Sequence, residues 1–247
     1  MFRFANLEFS PPGFFVDEAS SAVTAICLRE VGEGEKGLRY PLFFPTASTY
    51  WPPTQIYPAA LWSAIFGTSI VSFRALPAFL TTLTLIGLYL LAYRFIGADG
   101  ALVTLFAGSL SSWGFQFSRV AWEVRMLPML SIWGSYFFLR SNRVADHGVA
   151  GVLLALALYA YAPARLFVPL LVVLLLLFKK REMGLDVKGL AVFGLLFTAS
   201  VFLLPTTSCS RTSWIASSRW VSSLKTISSD SANPPRGSCS SPLPRTS

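Results

Sequence analysis

Charge is what this sequence lacks most. Only 13% of its residues are Asp, Glu, Lys or Arg, about half of what soluble domains carry. Histidine is nearly absent: His147 stands alone, which excludes a metal centre built from several histidines. Cysteine is scarce too. Cys27, Cys209 and Cys239 lie far apart, with neither the paired spacing of a zinc site nor that of a redox motif. The first ~20 residues contain no apolar run of the kind a cleavable secretory signal needs.

What fills the chain instead is apolar: 53% of the 247 residues, with a mean hydropathy of +0.57. That is the composition of a membrane protein. The net charge of +8 then reads as loop charge that orients spans, and nucleic acid is not among the partners it implies.

The chain falls into three parts. Residues 1–69 are mixed. A turn at PPG, 11–13, leads into FFVDEAS, and Asp17–Val31 has the pattern of an amphipathic helix ended by GEGEKG at 32–37. PLFFP at 41–45 and YWPPTQIYP at 50–58 hold too many prolines for a spanning helix. A short helix is expected at about 56–66.

Residues 70–205 alternate apolar runs with short polar breaks, as bilayer spans do. Spans are expected near 72–95, 100–117, 124–140, 148–161, 164–178 and 187–204. The fourth and fifth are short and could form one unit broken at YAYAPAR, 159–165. Residues 206–247 depart from this pattern, with fourteen serines and two of the three cysteines. They read either as a disordered tail or as translation out of frame.

Loop charge gives an orientation. Arg94, Arg140, Arg143, Lys179, Lys180, Arg181 and Lys188 fall on one side. Arg119, Arg125 and Arg165 fall on the other. The richer set faces the cytoplasm. Asp17 and Glu18, the loop SRVAWEVR at 118–125 and YAYAPAR then gather on the outer side of a cell membrane crossed several times. The expected fold is therefore all-α, a polytopic transmembrane helical bundle with an outer-face loop and amphipathic-helix region.

Five stretches come in a recognisable order: FVDEA after the PPG turn; YWPPTQIYPAALWSAIFG; SFRALPAFLTTLTLIGLYLL; FSRVAWEVRMLP; and LALALYAYAPARLFVPLLVVLLLL. Over residues 7–204 the chain resembles bacterial glycosyltransferase family 39, relatives of the dolichyl-phosphate-mannose–protein mannosyltransferases and of the aminoarabinose transferases. The resemblance implies a C-type membrane glycosyltransferase fold. It also implies a polyprenyl-phosphate-linked sugar as donor, an acceptor on the outer side and inversion at the anomeric carbon. Relatives carry a first helix ahead of the acidic pair, often have an acid and a lysine where Thr49 and Trp51 stand, and are considerably longer. A truncated, inactive N-terminal piece of such an enzyme is thus one expectation for this chain.

Transfer from a lipid phosphate needs a group to take the acceptor proton and a group to stabilise the departing phosphate. A carboxylate suits the first and a guanidinium the second. The candidates are Asp17 and Glu18 as catalytic acids, and Arg119, Glu123, Arg165 and Tyr50 as substrate-binding residues; a divalent metal is left open as a cofactor. Each has a plainer alternative. Asp17 could be a helix N-cap, Arg119 and Arg165 could be span-end anchors, and Glu123 could pair with Arg119 one helical turn away. Trp51 and Tyr57 could stack on a sugar or on isoprenoid and Tyr159 and Tyr161 could be catalytic, the plainer place for all four being an interfacial aromatic belt. His147 and Asp146, beside the inner arginines, receive no catalytic role. Membrane lipids are the remaining partners, and a multi-span transporter or lipid-handling protein is the competing function.

Overall fold

The computed structural model describes residues 2–45, 50–140, 143–182 and 187–208. Of the tail expected at 206–247, residues 209–247 lie outside them, as does Thr49. Helices dominate. In chain order they are α1 (Val16–Val31), α2 (Pro53–Phe66), α3 (Ile70–Leu110), α4 (Ser112–Phe117), α5 (Met126–Arg140), α6 (Val144–Leu158), α7 (Ala164–Glu182) and α8 (Val187–Ser208). Short 3-10 turns sit at Phe2–Phe4 and Glu123–Arg125. Among the described residues the only strands are β1 (Phe44–Pro45) and β2 (Tyr50–Trp51), an antiparallel ladder pairing Phe44 with Trp51. The chain is all-α, as expected.

Local chemistry accounts for the helix ends. α1 stops at Gly32, whose φ of 72° is the left-handed conformation that glycine adopts without a Cβ penalty, and whose N–H donates back to Leu28 O. α2 starts at Pro53, earlier than expected. Proline tolerates the first helical position because the N–H it lacks would have no helical partner there. α3 starts where the Ser69 hydroxyl accepts from Ser72 N.

The expected spans are corrected at several points. The first two lie end to end in α3, and Gly97, at φ 73°, ψ −172°, leaves the helical region and separates them within the gap expected between 95 and 100. The second stops at Leu110, because Ser111 leaves the helical region and caps the separate α4 through Gly114 N. α6 and α7 are distinct helices, with 159–163 as the break. α8 runs to Ser208, three residues past the expected boundary of the apolar region. By length and composition, one described helix, α3, is long and apolar enough to cross a membrane.

α5 packs on α6 and α6 on α8, with α3 lying against α5 and α1 against α2. Small residues let the backbones approach: the Leu154 side chain sits against the bare Cα of Gly134. Phe138, Leu154 and Phe193 form the centre of that stack, the rings of Phe138 and Phe193 meeting edge-on with centroids 5.0 Å apart.

One end of the stack is tied by a buried polar cluster. Lys179 Nζ on α7 donates to Phe138 O on α5 and lies 2.7 Å from His147 Nε2 on α6. Sequence reading placed Lys179 among the water-facing inner charges. It is instead 1% exposed, as is His147. The long lysine stem lets it reach inward from the last turn of a helix otherwise exposed there.

Candidate functional site

At the opposite end of the stack the N-terminal segment, α1, α3 and the loop before α5 meet. Phe15, not Asp17, is the N-cap of α1. Glu18 occupies the third helical position, so its carboxylate can turn back and accept from Phe15 N at 3.2 Å. The second carboxylate oxygen accepts from Ala121 N at 3.0 Å. Arg74, in the first turns of α3, closes the pair: its Nη2 lies 3.0 Å and its Nε 3.3 Å from the Glu18 oxygens. The same guanidinium donates to Leu7, Pro11 and Gly13 carbonyls. Glu18 is 0% exposed and Arg74 1%.

The Glu18 oxygens are thus committed to one cation and two backbone amides. Arg74 was missed by sequence reading because SFRALP sits inside an apolar run. An arginine one turn into such a run is nonetheless a signal, since a charge there needs a partner.

Asp17 is the neighbour left outside. It is exposed, and its charge is felt at Glu123, in the 3-10 turn before α5. Burial holds the Glu123 carboxyl above the usual carboxylate range. A hydrogen bond to its own backbone pulls the other way, and Asp17 adds a push upward. The structure thus brings Asp17 and Glu123 into electrostatic reach.

The expected pairing of Glu123 with Arg119 does not form, because the chain between them is not helical. Arg119 is buried. Its guanidinium donates to Ala5, Asn6 and Ser10 carbonyls and lies over the Phe115 ring. It clamps the N-terminal segment onto α4. Two more arginines, both unremarked as site residues, converge nearby: Arg3 and Arg125 donate to the same oxygen, Gly114 O, at 2.6 and 2.8 Å. Burial and the adjacent Arg3 bring Arg125 down to about 10.

Tyr50 in β2 and Arg165 at the start of α7 are exposed, and no contact joins either to Asp17 or Glu123. Arg165 makes no side-chain hydrogen bond or ion pair with the described residues. Trp51 is buried, donating to Ser20 Oγ at 3.1 Å, so it is a core residue and not a stacking platform. Tyr57 is half-buried, with its hydroxyl on Pro41 O. The YAYAPAR break is held to α2 by Thr54 Oγ1 donating to Tyr159 O. Among the described residues no three Asp, Glu, His or Cys side chains gather as metal ligands. With Glu18 committed to Arg74, Asp17 remains exposed and Glu123 half-buried, the charge of the first acting on the second.

A family model, dolichyl-phosphate-mannose-protein mannosyltransferase, matches residues 51–206, a stretch from β2 into α8. The chain belongs to that family. Membership makes it a membrane glycosyltransferase of the mannosyltransferase type, drawing on a polyprenyl-phosphate-linked sugar. No curated protein and no solved structure is matched. Within the mannosyltransferase match lie Arg74, Arg119, Glu123 and Arg165, whereas α1 with Asp17 and Glu18 lies ahead of it.

Proposed function

We propose that the protein transfers a sugar from a polyprenyl-phosphate donor to an acceptor at the outer face of a cell membrane, with Asp17 as the base. The observation that carries this is the contrast within the acidic pair. Glu18 is sunk into Arg74, whereas Asp17, one residue earlier, stays exposed at a site whose other carboxylate is Glu123. A multi-pass arrangement is supported by the outward apolar faces of α3 and α7, where Phe106, Leu110, Leu166, Leu170 and Leu174 are exposed. Contiguous apolar surface of this kind suits lipid as solvent.

In the proposed reaction the acceptor oxygen attacks the anomeric carbon from the side opposite the phosphate. The acceptor proton passes to the Asp17 carboxylate. The bond between carbon and phosphate oxygen breaks, and polyprenyl phosphate leaves with its electron pair. Arg165, an uncommitted guanidinium at a helix start, meets the departing phosphate. Tyr50 offers an exposed hydroxyl and ring to the sugar. Arg119 acts by holding the N-terminal segment against α4, which sets where α1 begins.

The test is transfer from polyprenyl-phosphate sugars by Asp17→Asn. The expected result is a fall in kcat of about 10²–10⁴-fold in a protein that still folds, since Asp17 is exposed. Normal turnover would remove Asp17 from the chemistry. For Arg165→Ala the expected result is a raised KM for donor; an unchanged KM would return Arg165 to the role of span-end anchor.

A further inference from the structure

Among the described residues four buried side-chain atoms lack a hydrogen-bond partner in the protein: Gln55 Oε1, Arg125 Nε, Ser72 Oγ and Ser131 Oγ. Two of them, Gln55 Oε1 and Arg125 Nε, belong to side chains that line the same cavity of about 30 Å³. It lies between α1, α2, the first turns of α3 and the start of α5, beneath Ala121 and Trp122. Ser21 is the third polar side chain on its wall; Phe73, Leu76, Leu80 and Met126 make much of the rest.

The polar groups constrain what fits. Gln55 Nε2 donates to Ala121 O at 2.8 Å, which fixes the amide and leaves Oε1, an acceptor, unmatched. Arg125 spends Nη2 on Trp113 and Gly114 carbonyls, which leaves Nε–H, a donor. Ser21 has used its proton on Glu18 O, so it has only lone pairs to offer. Gln55 is 8% exposed and Arg125 6%. An anion would satisfy Arg125 but set its lone pairs against Gln55 and Ser21. A cation would do the reverse, and an apolar group would leave every one of them unpaired. One oxygen bearing hydrogen satisfies them together: it accepts from Arg125 Nε–H and donates to Gln55 Oε1.

We infer that this cavity is a binding site for a neutral hydroxyl group, supplied by a resident water or by a small alcohol. Its volume accommodates one or two such groups. The bound hydroxyl joins α2 to Arg125, at the end of the 3-10 turn that begins with Glu123, so it braces the turn carrying that carboxylate. Its occupancy does not depend on sugar transfer.

The experiment uses the full chain in lipid nanodiscs, with methanol and inorganic phosphate as probes and melting temperature as readout. It is paired with a density map fine enough to show ordered solvent. Methanol is expected to raise the melting temperature saturably, by a degree or more, above its linear solvent effect; Gln55→Met removes the saturable part. That result assigns an alcohol site. A solvent peak between Gln55 Oε1 and Arg125 Nε without a saturable methanol effect assigns a resident water. Saturable stabilisation by phosphate that Gln55→Met abolishes overturns the inference, as does a cavity showing neither solvent density nor a methanol effect. Should Gln55→Met fail to fold, Ser21→Ala serves, with a reduced methanol shift expected and an undiminished one counting against the site.

Discussion

Glu18 on α1 and Arg74 on α3 form an ion pair 3.0 Å long with neither side chain reaching solvent. Around it converge Phe15 N, Ala121 N and the carbonyls of Leu7, Pro11 and Gly13. A buried pair gains little over an apolar substitute, but losing one partner strands the other charge at a cost of about 3–5 kcal/mol. Arg74→Met is therefore expected to lower the unfolding temperature sharply, because Glu18 keeps its charge without its cation. The double variant Glu18→Gln with Arg74→Met should recover part of that loss. Thermal unfolding in detergent measures both, and a double variant no better than the single one would show that the backbone bonds, not the charges, carry the stability.

Glu123 gives the fold a pH dependence with a definite sign. Its carboxyl is held above the usual range by burial and then by Asp17. The folded state therefore binds a proton more readily than the unfolded chain does. That contribution to stability is fully present below the ordinary glutamate range, near 4.3, and is lost as pH rises through the higher folded value. Glu123→Gln is expected to flatten this descent, and Asp17→Asn to move it to lower pH. Unfolding temperature followed from pH 4 to 7 checks both shifts. A profile identical in all three proteins would mean that Glu123 is solvated like any surface glutamate.

Periodicity made the helices legible in the sequence. The apolar run from Ser72 and the turn chemistry of GEGEKG both point to where helices begin or end, and the break near Gly97 lies between two expected spans. What periodicity could not separate was the roles of two adjacent acids. Asp17 and Glu18 differ by 100° around α1, and that angle decides which one meets Arg74, 56 residues later. For Arg119 the sequence leaves a phosphate contact and a span-end anchor equally open, because an arginine near a span end has charge to offer. Its actual partners are backbone carbonyls of residues 5–10, which carry no signal in the side-chain pattern. The same limit hid Lys179, where a loop-charge count cannot tell a solvated lysine from one turned inward.

Lys179 and His147 carry the third prediction. His147 Nδ1 lies 2.9 Å from Arg143 O, which can only accept, so Nδ1 holds the proton and Nε2 accepts from Lys179. A glutamine can reproduce both contacts, with its amide nitrogen on the carbonyl and its oxygen on Lys179. His147→Gln is expected to cost under ~1 kcal/mol. His147→Leu leaves a buried ammonium short of an acceptor and should cost about 1–3 kcal/mol. Unfolding temperatures of the two variants decide it; equal losses would mean that the imidazole acts only by filling space.

Two glycines separate close packing from helix propensity. A Cβ on Gly134 would meet Leu154 Cγ at 2.7 Å and Cδ2 at 2.9 Å, and Leu154 is fully buried between its neighbours. On α8, Gly194 has nothing within 4 Å of the same position. An alanine gains up to ~1 kcal/mol of helix propensity at either site, but overpacking at Gly134 costs about 1–3 kcal/mol. Gly134→Ala is expected to destabilise by about 1 kcal/mol and Gly194→Ala to be neutral or stabilising. The pairing has its own check: adding Leu154→Ala to Gly134→Ala should cost less than the two single losses summed, because the smaller side chain removes the clash. Strict additivity would place the penalty in the backbone of α5 and not in its contact with α6.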